Sequence, residues 1–237
     1  MRSDRSLRPE TAISEDPAGA SWLKLIRMAL AQPRIALREG LALSRGVWCR
    51  VSCRVRGIRF EAGRNLRIDG KLILRGPGRV IFGHNVRVGM TVTPWTYAPE
   101  ATIEIGSDSF VNGTSFGCQK EIRIGPRAIL GRATIMDTDF HSLGVDRHHP
   151  NAVVRVAPVL LEENVWISAQ VGVLPGTRIG RNSVVGFGAV CAGVFPADVV
   201  IVGNPAKVVG PVPGSDAADR EHEARDGRVT SCDAPRA

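Results

Sequence analysis

The apolar residues between Leu161 and Cys191 recur with a period of six. Residues at that spacing are all apolar: Leu161, Ile167, Val173, Ile179, Val185 and Cys191. Positions four residues further on are all small or narrow: Val165, Val171, Thr177, Ser183 and Ala189. Such a period matches neither an α-helix at about 3.6 residues nor a simple strand at about 2. It predicts stacked coils of short strands, one hexapeptide per side, with parallel strands about 4.8 Å apart.

The repeat extends well before this stretch and is interrupted twice. It is readable from Ile68 onwards, and the two prolines of Thr93–Ala101 predict a loop that leaves a corner of the coil. Between Met136 and Leu161 a longer insertion occupies residues 137–158. Insertions in repeat folds project from one face and are often functional, so this loop is the first place to look for a site.

Both ends of the chain depart from the repeat. Residues 1–20 and 211–237 are polar, and we predict a disordered leader and a disordered tail. Residues 21–46 have the periodicity of a basic amphipathic helical segment, with two short helices separated near Pro33 and a stop at Gly46.

The repeat domain is predicted to begin directly after this helical segment. Val47–Arg67 alternates apolar residues with arginine, which predicts an extended or irregular first coil. The predicted domain therefore covers residues 47–210, and Ile201–Lys207 is expected to close it.

The net charge of +8 is concentrated near the N-terminus. Between Ser21 and Arg67 eleven basic residues face only two acidic ones. Such a block can attract anionic lipid, or it can be a solvated face that docks on the coils or on a neighbouring subunit. Both interpretations stay open, and the first includes Trp22 at the membrane interface. We expect no nucleic acid partner, because no recognition motif accompanies the charge.

Targeting signals and cysteine usage indicate the compartment. There is no apolar run of about 18 residues, and the polar N-terminus lacks the apolar core of a secretory signal. The five cysteines are scattered, which favours a reducing environment. We therefore expect a cytoplasmic protein, with the inner membrane surface as a possible peripheral location.

Three short motifs give this chain a family resemblance. DTDFH at Asp137–His141, VWIS at Val165–Ser168 and GNPAK at Gly203–Lys207 resemble the hexapeptide-repeat acyltransferases, and within them the maltose, galactoside and exopolysaccharide O-acetyltransferase group. The resemblance covers about Leu66–Val209. It implies an all-β fold, a left-handed parallel β-helix with short N-terminal helices, a homotrimer and acetyl transfer from acetyl-CoA. The left hand comes from the resemblance alone, since parallel crossovers are generally right-handed.

Acetyl transfer to a hydroxyl needs a general base, and histidine suits this task near neutral pH. His141 matches the catalytic histidine of the resembled family. Asp139 and Asp137 flank it, and they could orient the imidazole, meet the acceptor or cap the turn. Asn112 matches a family asparagine that bonds the acceptor, although a turn asparagine with left-handed backbone is the competing interpretation.

The family also lays CoA along a coil edge between two subunits. The residues implied here are Trp166, Ser168, Ala169, Gly186, Phe187 and Lys207. Trp166 is alternatively a corner packing residue. Phe187 departs from the usual small residue between two glycines, so it could crowd the CoA channel.

Three functions follow from these residues. The first is an O-acetyltransferase acting on a sugar or glycan, in surface polysaccharide or glycan assembly. The second is an N-acyltransferase on an amino sugar or a drug, and the third is a non-catalytic trimeric scaffold closed by Phe187. We expect no metal, because Cys49 and Cys53 lack a second pair and the histidine spacing does not fit a zinc set. Cys118 and Cys191 are not proposed as nucleophiles.

Overall fold

The computed structural model describes residues 31–215, in which one helix precedes a parallel β-solenoid. The helix α1 spans Pro33–Val55, and the solenoid unit begins at Gly40 within it. The strands are β1 (Phe60–Ala62), β2 (Arg67–Ile68), β3 (Lys71–Leu72), β4 (Arg79–Phe82), β5 (Arg87–Val88), β6 (Thr91–Thr96), β7 (Thr102–Ile105), β8 (Phe110–Val111), β9 (Ser115–Cys118), β10 (Glu121–Ile124), β11 (Ile129–Leu130), β12 (Thr134–Met136), β13 (Val159–Leu161), β14 (Trp166–Ile167), β15 (Gly172–Val173), β16 (Arg178–Ile179), β17 (Val184–Val185), β18 (Val190–Cys191), β19 (Val194–Phe195), β20 (Val199–Val202) and β21 (Lys207–Pro211). No helical segment in this range is long and apolar enough to cross a bilayer.

Successive strands belong in turn to the first, second and third of three parallel sheets, which confirms the predicted left-handed β-helix. The first sheet runs β1-β4-β7-β10-β13-β16-β19, the second β2-β5-β8-β11-β14-β17-β20 and the third β3-β6-β9-β12-β15-β18. Each coil thus has three corners. The first corner joins the first and second sheets, the second corner joins the second and third, and the third corner leads back to the first sheet of the next coil.

The repeat residues fill the interior of the coils as predicted. All six apolar positions from Leu161 to Cys191 have 0% exposure, and the small residues between them are buried as well. At the first corner the chain adopts φ of 56–63° at non-glycine residues: Asn65, Asn85, Asp108, Arg127, Asn164, Asn182 and Asp198. Most are asparagine or aspartate, the residues that best tolerate left-handed backbone. Their side chains bond to one another from coil to coil, as Asn182 does to Asp198 at 2.7 Å.

The helix predicted to stop at Gly46 continues to Val55, so the extended first coil predicted for Val47–Arg67 is present only from Phe60, where β1 begins. Gly46 lies against the backbone of Leu66, where an added Cβ would stand 2.0 Å from the Leu66 carbonyl oxygen. The glycine therefore allows the helix to pack closely and does not end it. Gly57 follows the end of the helix, and its φ of 67° permits a bond of 2.9 Å from the Ile58 N–H to the Cys53 carbonyl.

The loop predicted at Thr93–Ala101 is half strand, because β6 includes Thr93–Thr96. Pro94 lies within this strand and its carbonyl accepts a bond of 2.9 Å from the Arg75 N–H. A proline removes only one donor from a ladder, so neighbouring bonds hold the strand in place. The remaining residues turn the third corner as predicted.

The C-terminal end of the solenoid is closed by a hairpin, in agreement with the sequence. β21 pairs antiparallel with β20. The tail predicted from residue 211 is ordered at its start, since the Val212 N–H donates to the Asp198 carbonyl at 2.8 Å. Residues 1–30 and 216–237, which include the leader, the first predicted helix and most of the tail, lie outside the described residues.

Candidate active site

The inserted loop leaves the solenoid at the third corner, and Asp137 fixes its departure. The Asp137 side chain has 0% exposure. Its Oδ1 accepts a bond of 2.7 Å from the Gln119 N–H. Its Oδ2 accepts bonds of 2.7 Å from the N–H groups of Lys120 and Glu121. Both carboxylate oxygens therefore accept bonds from the corner of the preceding coil. This corrects the expectation that Asp137 contacts the acceptor and agrees with the alternative that it caps a turn.

The two ends of the loop are tied to each other. Thr138 forms an antiparallel bridge with Val156, and the Ala157 N–H donates to the Asp137 carbonyl at 2.8 Å. The Asp139 N–H donates to the Arg155 carbonyl at 3.1 Å. Backbone bonds therefore give the loop a fixed root.

His141 lies at this root, one tight turn after Asp139. The His141 N–H donates to the Asp139 carbonyl at 2.7 Å across Phe140, whose φ is 60°. The His141 side chain is exposed, and its imidazole has no hydrogen-bond partner within residues 31–215. Asp139 is partly buried, and its Oδ2 atom is buried without a hydrogen-bond partner in that range. Among the described residues, this turn therefore has two groups without hydrogen-bond partners, the exposed imidazole of His141 and the buried Oδ2 of Asp139.

The turn is anchored by an aromatic cluster made of Trp95, Tyr97 and Phe140. The rings of Tyr97 and Phe140 meet edge to face at 4.9 Å, and those of Trp95 and Tyr97 stack at 5.0 Å. Phe140 also lies on the bare backbone of Gly117. This packing sets the position of the residue next to His141.

Two of the other histidines are engaged in backbone contacts. His84 Nδ1 accepts a bond of 2.9 Å from the Arg64 N–H, and His149 Nδ1 accepts one of 3.2 Å from the Asn151 N–H. Each of these two rings thus has one nitrogen bonded to the backbone, whereas the His141 ring at the loop root has no such bond within residues 31–215.

Asn112, which was matched to the acceptor, and all the acetyl-CoA candidates except Trp166 form a column at the second corner. From the third coil to the hairpin it contains Asn112, Ser168, Ala169, Gly186, Phe187 and Lys207. Gly131 stacks on this column, since an added Cβ would stand 2.9 Å from the Ser168 carbonyl carbon. The Phe187 side chain is 66% exposed and so projects away from the coil. Lys207 is exposed at the end of the hairpin turn.

Trp166 and Asn112 differ from the positions that were expected from the sequence. Trp166 begins β14 on the outer face of the second sheet, so it is not at a corner. Asn112 is not left-handed; that conformation belongs to Gly113, with φ of 76°. The Asn112 Oδ1 accepts a bond of 2.9 Å from the Met90 N–H, which is a structural contact between coils.

Arg132 belongs to the same column and was missed by sequence reasoning. It is exposed at the second corner of the fourth coil, and its carbonyl accepts a bond of 2.7 Å from the Gln170 N–H. The signal was available, because Arg132 follows Leu130 by two residues, as Ala169 follows Ile167 and Phe187 follows Val185.

The two groups of candidate residues lie at different corners of one chain. His141 follows β12 of the third sheet, whereas Ser168 and Phe187 precede strands of that sheet. Within a single copy, the loop root and the column therefore lie at opposite ends of the strands of the third sheet.

The two cysteines of the third sheet, Cys118 and Cys191, are poorly suited to thiol chemistry because they are buried. Burial, with the nearby Asp137 carboxylate as a second cause, raises the pKa of the Cys118 thiol far above its ordinary value. Burial raises the pKa of Cys191 to about 11. Neither is therefore a ready nucleophile at neutral pH. Within residues 31–215 no group of three His, Cys, Asp or Glu side chains is close enough to hold a metal ion.

Comparison with known proteins agrees with this architecture. The family described as bacterial transferase hexapeptide (six repeats) matches residues 158–193. A galactoside O-acetyltransferase of Lactococcus lactis is 36% identical over 102 residues, which cover 43% of this chain and 49% of that protein. A probable acetyltransferase of Mycobacterium tuberculosis is 30% identical over 190 residues, covering 79% of this chain and 55% of that protein. The chain thus spans about half the length of these two relatives.

A further relative is matched over most of its length. A putative lipopolysaccharide biosynthesis O-acetyl transferase of Escherichia coli is 31% identical over 163 residues, covering 65% of this chain and 69% of that protein. The identity and coverage, together with the six-residue coils, settle the family. This chain belongs to the hexapeptide-repeat acyltransferases.

Proposed function

We propose that this protein transfers the acetyl group of acetyl-CoA to a hydroxyl of a sugar or glycan acceptor in surface polysaccharide assembly. The observation that carries the proposal is the exposed imidazole of His141 at the root of the inserted loop. Relatives named as galactoside and lipopolysaccharide O-acetyltransferases support the choice of a sugar hydroxyl.

His141 is the proposed general base. As the acceptor oxygen attacks the thioester carbonyl carbon, a new C–O bond forms and the hydroxyl proton passes to the imidazole. The tetrahedral intermediate then expels the CoA sulfur as the C–S bond breaks, and the imidazolium returns the proton to the thiolate. Backbone N–H groups near Ser168 and Ala169 are the proposed oxyanion donors. No covalent acyl-enzyme is needed.

Asp139 is the proposed partner of the base. Its buried Oδ2 has no hydrogen-bond partner within residues 31–215, which is unfavourable for a carboxylate, and an imidazole N–H two residues away in sequence is a suitable donor. A carboxylate in this role orients the ring and stabilises the imidazolium without taking its proton.

Acetyl-CoA is proposed to lie along the second corner. Gly186 and Phe187 line this edge, and Lys207 would meet the phosphates at its end. A thioester is uncharged, so most of the contacts along the pantetheine would come from backbone groups. Asn112 would contact the acceptor through its Nδ2, which has no partner within residues 31–215.

A homotrimer would unite the two corners. His141 of one copy and the second corner of another can form one site, whereas a single copy keeps them apart. Outward-facing apolar residues of the second sheet align from coil to coil: Phe110, Ile129, Trp166, Val184 and Val200. The inserted loop also exposes Leu143, Val145 and Val153. Both surfaces fit contacts with further copies of the chain.

Peripheral contact with an anionic membrane, on its cytoplasmic side, is the last part of the proposal. From Gly40 onwards α1 buries Ala42, Gly46 and Cys53. It exposes an apolar stripe on its opposite side: Leu41, Trp48, Val51 and Val55. Arg45, Arg50 and Arg54 are exposed beside the stripe, which suits anionic lipid. Binding to phosphatidylglycerol vesicles but not to phosphatidylcholine vesicles, lost in Trp48→Gln, is expected; equal binding to both would contradict it.

The test of the reaction is release of CoA thiol from acetyl-CoA with a panel of sugars and amino sugars. His141→Ala should lower kcat by at least about 100-fold. His148→Ala, which removes a neighbouring loop histidine, is the matched control and should retain activity. Full turnover by His141→Ala would refute the assignment. Preference for amines over hydroxyls would replace sugar O-acetylation by N-acylation.

Donor binding is tested separately by calorimetry. The unmodified protein should bind acetyl-CoA, and Phe187→Ala should change the affinity little because that ring projects outward. If only Phe187→Ala bound the donor, the protein would be a closed scaffold and no enzyme.

A further inference from the structure

We propose that Arg132 recognises an anionic group of the acceptor, so that the preferred substrates are sugars bearing a carboxylate or a phosphate. This inference rests on the proposed function and narrows its substrate class. Arg132 lies at the second corner of the fourth coil, between Asn112 of the third coil and Ser168 of the fifth. It is therefore on the edge where donor and acceptor would meet.

The stem of Arg132 is held against the preceding coil. A Cβ added to Gly113 would stand 2.9 Å from the Arg132 Cγ. Because Gly113 has no side chain, the aliphatic part of Arg132 can pack on its backbone, next to Asn112. Arginine carries its charge beyond such a stem, so the guanidinium is available for a ligand on this edge.

The charge of Arg132 is unopposed. Several arginines on the coils pair with carboxylates, as Arg87 does with Asp69 at 2.7 Å and Arg127 with Glu163 at 3.0 Å. Arg132 has no ion pair or hydrogen bond from its side chain within residues 31–215. The corner segments stacked around it carry no acid: Gly89–Met90, Asn112–Thr114, Ser168–Val171 and Gly186–Ala189. A guanidinium in such a setting suits a planar oxyanion, which it can bind with two parallel N–H donors.

The level of Arg132 on the edge favours the acceptor over the donor. Lys207 begins β21, four strand spacings beyond β11 in the second sheet, which is roughly 19 Å at the usual distance between paired strands. If Lys207 meets the CoA phosphates, the fourth coil lies near the acyl end of the donor. The thioester is neutral, so a cation at that level is best satisfied by charge on the acceptor.

The experiment compares two acceptors that differ only at C6, where p-nitrophenyl β-D-glucuronide bears a carboxylate and p-nitrophenyl β-D-glucoside a hydroxymethyl group. Glucose 6-phosphate is the phosphate probe. The unmodified protein should favour the glucuronide or the phosphate. Arg132→Gln should lower kcat/KM for the favoured anionic sugar by about 10- to 100-fold, without affecting the glucoside or the KM for acetyl-CoA. Arg127→Gln removes a charge from the same coil at the first corner and should change neither preference.

Calorimetry with the same three sugars in the presence of CoA measures acceptor binding without turnover. It therefore tests the role of Arg132 independently of the proposed reaction. Binding that depends on Arg132 in a protein without turnover would support this inference and refute the proposed reaction. Equal binding and turnover of charged and neutral sugars would overturn the inference alone. A rise in the KM for acetyl-CoA in Arg132→Gln, equal for all acceptors, would assign the residue to the donor and also overturn it.

Discussion

The Phe140 ring lies so close to Gly117 that a Cβ added to the glycine would stand 2.5 Å from the Phe140 Cζ. Gly117 belongs to β9 of the third coil, whereas Phe140 directly precedes His141. The absence of one side chain on a strand thus sets how closely the loop root approaches the solenoid.

Gly117→Ala should therefore displace Phe140 and with it His141. Because a misplaced base transfers protons poorly, kcat should fall about tenfold or more while the coils stay folded. The matched control is Gly172→Ala on β15 of the same sheet, where the nearest atom to an added Cβ is 3.8 Å away. Steady-state kinetics and thermal unfolding of both variants check this, and an unchanged kcat in Gly117→Ala would mean that Phe140 does not position the base.

Asp137→Asn should destabilise the protein. The amide would place an N–H donor opposite at least one of the three backbone N–H groups that the carboxylate now accepts. We expect the free energy of unfolding to fall by about 2–3 kcal/mol, measured by urea denaturation.

Asp108→Asn is the control for that measurement. Asp108 Oδ1 accepts a single bond from Asn85, which an asparagine oxygen can still accept, and asparagine tolerates the left-handed backbone there. Its effect should stay below about 0.5 kcal/mol. Equal losses in the two variants would show that the buried carboxylate of Asp137 has no special role.

Gly46→Ala should loosen α1 from the first coil. The added methyl group would meet the Leu66 carbonyl, and overpacking of this kind costs about 1–3 kcal/mol. Gly40→Ala lies in the same helix with nothing within 4 Å, and it should instead stabilise by about 0.5–1 kcal/mol. Opposite signs in urea denaturation are the expected outcome, and stabilisation by both would contradict the close packing at Gly46.

Glu162 provides a pH-dependent contribution. The side-chain bond from Arg178, followed by the Arg181 N–H, lowers the pKa of this carboxyl. A folded pKa below the unfolded one adds stability at neutral pH, which is lost as the pH falls through the depressed pKa. The pair is largely exposed, so Glu162→Gln should cost only about 0.5 kcal/mol at pH 7. The difference from the unmodified protein should shrink towards pH 3 and in high salt; a difference that grows in acid would refute the ion pair.

The sequence was most informative where the chain is periodic. The interior positions from Leu161 to Cys191 could be predicted because a solenoid repeats one local rule, small and apolar residues inside at a fixed spacing. The offset from an interior residue identifies which corner a residue occupies: Arg132 follows Leu130 by two residues and Ala169 follows Ile167 by two, so both belong to the second corner.

Sequence reasoning failed at glycine and proline for a physical reason. Glycine lowers the intrinsic stability of a helix, and proline removes one hydrogen bond from a strand. From the sequence alone, Gly46 and Pro94 therefore look like the ends of their elements, although both lie inside them. Only the neighbouring coil, with Leu66 or Arg75, distinguishes the two cases. Likewise the burial of Asp137 depends on the corner of the preceding coil, which no local pattern around DTDFH reveals.

The hairpin at the end of the solenoid has a consequence for assembly and for the length of the protein. β21 covers the free edge of β20, while Gly203 and Ala206 bond to the backbone of Val190 on the third sheet. An uncovered parallel edge would be a template on which further chains could stack without limit. Because the hairpin terminates growth by backbone bonding and not by a special coil, whole coils could be inserted or removed ahead of it. Such a change would alter the distance between Arg132 and Lys207 and leave the terminal hairpin unchanged.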